Sequence, residues 1–137
     1  MSYVANKFAK AAVSLVGTPF RLHGRDPHSG LDCVGLINES LKIAGLPRPQ
    51  LPKYALRNSD YSFVLKTACL AGFKPAKNGI FLGDLVVVKP GPAQLHFLVA
   101  QARGGFVHAH ASLREIVTMP GPVTWPIWAI LRLEEKG

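Results

Sequence analysis

The sequence predicts an α+β domain in which N-terminal helices pack on a C-terminal antiparallel β-sheet. Two observations carry this. Apolar residues such as Val4, Phe8, Ala11, Ala12 and Leu15 recur at helical spacing early in the chain, whereas the later part runs in short β-rich stretches cut by Gly and Pro. Helices first and strands afterwards is the α+β order. A third observation sets the domain count. The chain has 137 residues, 48% of them apolar, which suffices for one core, so residues 1–137 are expected to form a single domain. There is no repeat, low-complexity tract or dividing linker.

The first helix is expected over residues 2–16, closed by Gly17 and Pro19. TPFRLHGRDPHSGLD, residues 18–32, carries two Pro and two Gly and reads as loop. A second helix follows over residues 33–44, with Asp32 as N-cap and Gly45 as its stop. LPRPQLPKYALRN holds three prolines and must be extended or turning. A third helix is expected at about 60–71, capped by Ser59 or Asp60 and ended by Gly72. Five strands then follow in GDLVVVKPG, LHFLVAQAR, GFVHAHA, EIVTM and PIWAILRL. The second, third and fourth are closely spaced and should be antiparallel neighbours.

Net charge is +8, from sixteen Lys and Arg scattered between Lys7 and Lys136 with no run among them. A nucleic-acid footprint clusters its basic residues, so no nucleic-acid partner is expected. The excess reads as attraction to an anionic partner or as solubility alone. In MSYVANKFAKAAVSLVG, Lys7 and Lys10 interrupt any signal-peptide core, and no apolar run is long enough to span a membrane. The expectation is cytoplasmic synthesis, with any export by another route.

GLDCVGLINESLKIAGL, residues 30–46, sets Cys33 directly behind an aspartate at the start of a helical pattern. The reactive form of cysteine is the thiolate. The first turn of a helix offers unpaired N–H groups and partial positive charge, and both favour it. The same donors could hold an oxyanion after attack on a carbonyl. Asp32 can cap the turn, but its charge opposes the thiolate, so a nearby cation is wanted, usually histidine. By position alone, a nucleophile and a small buried hydrophobe are equal readings of Cys33. Cys69, in TACLAG, reads as a buried structural thiol.

There are five histidines. His23 and His28 lie in the loop before Cys33. His96 opens LHFLVA, and His108 and His110 share one face of GFVHAHA. A histidine in an apolar strand is more often a hydrogen-bonded core residue than a catalyst. Three on neighbouring strands, in a chain that also offers Cys33, form a candidate site.

At these residues the sequence resembles the NlpC/p60 family of cell-wall cysteine peptidases. The resemblance rests on GTPF (17–20), HG (23–24), GLDCVGL (30–36), GDLVVV (83–88), HFLVA (96–100) and FVHA (106–109), in the family's order and spacing. It implies a papain-like α+β fold with the nucleophile at a helix start. It makes Cys33 the nucleophile, His96 the general base and His108 the residue that orients His96. Phe20 stands where many relatives have a tyrosine whose hydroxyl helps the oxyanion site. His23 replaces the first glycine of a pair, and Val34 replaces a serine. With Asp32 and His110, these three complete the candidate substrate-binding set. PFRLHGRDPHSGLDCVGL is closest to the phage-tail and phage-like branch of the family.

The resemblance implies an endopeptidase that cuts peptidoglycan stem peptides between D-γ-glutamate and the following diamino acid, through a thioester and without a cofactor. Action would be at the cell wall or in a phage-like particle, with a phage-tail component as a further partner. Amidase or acyltransferase chemistry on the same scaffold, or a catalytically lapsed phage-tail module, are the alternatives. A zinc site from Cys33, His96, His108 and His110 is a third class, unsupported by any C-x-x-C or H-E-x-x-H spacing, so no metal is expected. Strand alternation leaves His108 and His110 equivalent. A two-residue turn at Arg103 and Gly104 would set His96 against Ala111 and favour His110, and a wider turn would shift the partner. The resemblance selects His108 and leaves His110 to line the substrate groove.

Overall fold

The computed structural model describes residues 3–48, 62–92 and 94–134, apart from the side chain of Phe63. Helix α1 spans Tyr3–Ser14, α2 spans Cys33–Ile43 and α3 spans Ser62–Leu70. The cap expected at Ser59 or Asp60 and most of LPRPQLPKYALRN lie outside the described residues. Two short strands, β1 (Arg25–Asp26) and β2 (Gly30–Leu31), pair antiparallel in the loop before α2. The main sheet holds β3 (Phe73–Pro75), β4 (Leu85–Gly91), β5 (Gln94–Ala100), β6 (Phe106–His110), β7 (Glu115–Met119) and β8 (Ile127–Leu133). Its order is β3-β8-β4-β5-β6-β7, and every neighbouring pair is antiparallel.

The five expected strands are β4 to β8, and the α+β architecture is the one expected. Three short strands, β1, β2 and β3, had no run of β-branched residues to announce them. They exist because neighbouring chain supplies their partners: β3 adds to β8, and β1 and β2 pair with each other.

Both faces of the sheet are covered, which explains the unbroken apolar run of β4, Leu85 to Val88. Leu85, Val87, Phe97, Val99 and Val107 face the helices, against Phe8 and Ala12 of α1 and Leu36, Ile37 and Leu41 of α2. Phe8 meets Phe73 edge-on, with ring centroids 5.4 Å apart. Val86, Val88, Leu98, Ala100 and Phe106 face the other way, covered by Ile80, Met119, Val123 and Trp125. Asp84, fully buried, accepts from Phe81 N–H at 2.7 Å and from Arg132 through both carboxylate oxygens at 2.9 Å. That pair anchors the entry to β4 against β8.

One expectation is reversed: Cys69, read as a buried structural thiol, is exposed, while Cys33 is buried. Helix α3 turns Val64 to the core and Ala71 follows it there, with Leu65 and Ala68 partly covered, and helical spacing carries position 69 off that stripe. Small apolar neighbours in sequence did not make a buried position.

Helix α2 is held by one close approach. A Cβ on Gly35 would collide with the backbone carbonyl of Gly24, so the loop before the helix lies directly on its first turn. Alanine at position 35 gains about 1 kcal/mol in helix propensity, while the collision with a carbonyl fixed by its own backbone costs about 1–3 kcal/mol or more. Gly35→Ala should therefore destabilise the fold, seen as a lower urea midpoint with an unchanged m-value.

Candidate active site

The site is built from two parts of the chain: the loop and helix start around Cys33, and the strand ends around His96 and His108. Asp32 caps α2 in extended conformation, and its Oδ1 accepts from Gly35 N–H at 2.9 Å. The same carboxylate accepts from His23 N–H at 2.8 Å and from Arg25 Nη1 at 2.8 Å. One buried side chain thus ties the loop at residues 23 and 25 to the first turn of the helix. His23 holds a left-handed φ of 62°, a conformation that suits glycine. Its side chain is exposed and outside the cleft, while its backbone serves Asp32.

Cys33, at the first helical position, is 8% exposed. Burial, then the charge of Asp32, push its thiol up from the usual 9.0 to about 12. The backbone amides of Phe97 and Val34 and the charge of Arg25 work in the other direction without reversing this. The helix start, expected to favour the thiolate, is outweighed here by burial and does not supply a standing thiolate. The Cys33 N–H has no hydrogen-bond partner among the described residues and remains available as a donor.

Leu95, Phe97 and Val99 face the helices, so alternation sends His96 to the other face of β5, where Trp125 meets its ring edge-on at 5.7 Å. His108 alternates likewise in β6 and is 3% exposed. His96 Nε2 and His108 Nδ1 are 3.1 Å apart, a hydrogen bond between the two rings. Burial, then the neighbouring His108 and His110, lower His96 from 6.5 to about 4. His108 falls to about 4 as well, by burial and then by His110. His110 takes a different partner, its Nδ1 accepting from Leu113 N–H at 3.1 Å.

The turn between these strands settles the register question. Residues 101–105 connect β5 to β6, wider than a two-residue turn, and the ladder pairs Val99 with Val107 and Ala100 with Phe106. Counting on from those pairs sets His96 level with His110, yet the hydrogen bond runs diagonally to His108.

Cys33, His96, His108 and His110 all line one cleft of about 480 Å³, at the end of the sheet where β5 begins and β6 stops. Phe20 and Asp32 line it too. Val34 does not: it is 4% exposed, packs in the core and borders a separate apolar cavity of about 50 Å³. Sequence reasoning missed Trp125 and Arg25. The first sits in a loop with no sequence signal tying it to the histidines. The second reaches Asp32 only because β1 pairs with β2. Among the described residues, no three His, Cys, Asp or Glu side chains are grouped to hold a metal ion.

Both histidines are neutral well below the usual range, and this has a signed consequence for stability. An unfolded histidine binds a proton near 6.5, while the folded pair resists protonation down to about 4. Their contribution to stability is therefore complete above 6.5 and lost as pH falls toward 4. Two imidazoles should titrate near 4 by NMR, and the melting temperature should decline through that same window.

No protein-family profile and no curated protein sequence matches the chain. Solved structures do. NlpC2 from Trichomonas vaginalis superposes with a TM-score of 0.74 at 15% identity, over 99% of this chain and 48% of that one. NlpC1 from the same organism gives 0.69 at 16% identity, over 92% of this chain and 42% of that one, so this chain spans less than half of either. The NlpC/p60 domain of the peptidoglycan hydrolase SagA gives 0.60 at 20% identity, over 94% of this chain and 98% of that domain. No helix among the described residues is long and apolar enough to cross a membrane. The sequence resemblance and these superpositions agree on the architecture: the chain has the fold of NlpC/p60 domains.

Proposed function

We propose that the chain is a cysteine endopeptidase of peptidoglycan stem peptides, with Cys33 as nucleophile, His96 as general base and His108 as the residue that orients His96. The observation that carries this reading is the His96–His108 hydrogen bond at the cleft that Cys33 also lines. A fold shared with the peptidoglycan hydrolase SagA supports the choice of substrate class. The bond expected is that between D-γ-glutamate and the diamino acid.

The geometry suggests how the proton moves. His96 uses Nε2 toward His108, which frees Nδ1 for the thiol. For Nδ1 to accept, the His96 proton must sit on Nε2 and be donated to His108 Nδ1, so His108 carries its own proton on Nε2. With the thiol raised and the imidazole lowered, both groups are neutral before substrate binds. Attack and proton transfer then go together. The Cys33 S–H proton passes to His96 Nδ1 as sulfur bonds to the scissile carbonyl carbon, and the Cys33 N–H donates to the developing oxyanion. The tetrahedral species collapses to a thioester while His96 returns the proton to the leaving amine. Water, deprotonated by His96, then releases the acid and restores the thiol.

Phe20 offers no hydroxyl to the oxyanion, which favours slow turnover. Digestion of purified peptidoglycan, with fragments read by mass spectrometry, tests the reading. Cys33→Ala and His96→Ala should each abolish fragment release while leaving the melting temperature near wild type. His108→Ala should lower kcat by about 10²-fold or more, and His110→Ala should act on KM. The acid limb of kcat/KM should lie near 4, where His96 protonates, and not near 6.5. Wild-type protein that releases no fragments would favour the lapsed structural module.

A further inference from the structure

Asp32 lies beside the proposed nucleophile and is itself 5% exposed. Its carboxylate is required where it stands, as the cap of α2, yet a negative charge at that point opposes formation of negative sulfur. Two of its donors, the N–H groups of His23 and Gly35, are uncharged. Arg25 is the one cation within ion-pair distance among the described residues, with Nη1 2.8 Å from Oδ1. The other titratable groups at the cleft are His96, His108 and His110, from β5 and β6. His96 and His108 are held neutral by burial, so they do not offset the carboxylate before reaction.

The placement of Arg25 is built into the loop. Arg25 pairs with Leu31 in the β1–β2 hairpin, which brings its side chain back against the residue that follows Leu31. Its Nη1 also donates to the Gly24 carbonyl at 2.9 Å, the group that rests on Gly35. The guanidinium is therefore fixed at both ends of the contact between loop and helix.

We propose that Arg25 is a positioning residue for Cys33: its guanidinium engages the Asp32 carboxylate, so that sulfur becomes negative beside a neutralised pair and not beside a bare anion. The idea rests on Cys33 as nucleophile, but its test reads the thiol directly and needs no substrate. Competitive alkylation with iodoacetamide compares Cys33 with exposed Cys69 in the same molecule, quantified by peptide mapping. Alkylation follows the thiolate fraction, so Arg25→Gln should slow Cys33 relative to Cys69 by roughly two- to fivefold, about half a pKa unit. Arg25→Lys retains the charge and should stay within about twofold of wild type. The gap between Gln and wild type should narrow at high salt, because the pair is partly exposed. A purely structural clamp gives the opposite sign, since loosening the loop would uncover Cys33 and speed its labelling. Unchanged or faster labelling of Cys33 in Arg25→Gln overturns the proposal, as does a Lys variant as slow as Gln. Arg25→Met serves as the neutral variant where Gln fails to fold. Loss of the Arg25 effect alongside a Cys33-dependent digestion would leave the peptidase reading standing.

Discussion

The Asp32 carboxylate is the contact on which the site depends. It accepts from the helix at Gly35, from the loop at His23 and from the side chain of Arg25. Remove it and three groups lose their partner at once, in a place with little water to replace it. Cys33 is the next residue, so its backbone direction follows from that cap. The close seat of Gly24 on Gly35 then prevents the loop from sliding over the helix. A buried acid that disfavours the thiolate is tolerated because it is the same acid that aims the sulfur.

Burial acts twice in this cleft, with opposite signs for the two kinds of group. It raises the thiol and lowers the imidazole, so both favour their uncharged forms. Under the proposed mechanism, two groups that line one cleft in their neutral forms would become charged only as a carbonyl is attacked, when charge appears on the oxyanion and the imidazolium together. Trp125 contributes to that state. Its ring lies edge-on to His96 and 6.3 Å from His108, covering the hydrogen-bonded pair on the sheet face away from the helices.

Much of this was legible in the sequence, and the parts that were not share a cause. Periodicity and caps located α1, α2 and five strands, because those signals are local. An ordered set of short motifs pointed to Cys33, His96 and His108, and these three residues line one cleft. What escaped depends on contacts distant in sequence or on single-residue facing. Cys69 looked buried by its neighbours and is exposed by its angle on α3. Arg25 looked like one of many scattered cations, and only the β1–β2 hairpin makes it a partner of Asp32. Val34, next to Cys33 in sequence, points into the core, because successive helical residues turn by about 100°.

Several motif positions of this chain are held by close backbone contacts. Gly35 is fixed by the Gly24 carbonyl, and Gly83 by the backbone of Ala5, with a φ of 84° besides. Asp84 behaves in the sheet as Asp32 behaves at the helix: a buried carboxylate that accepts a backbone N–H of its own loop and an arginine from another strand. Each of these carboxylates converts a loop into a fixed approach, one to Cys33 and one to β4. The strand next to β4 carries His96. Between them the chain can vary its apolar residues freely, since a core accepts many packings of similar volume. A change at either carboxylate or either glycine would instead break a buried hydrogen bond or force two backbones apart.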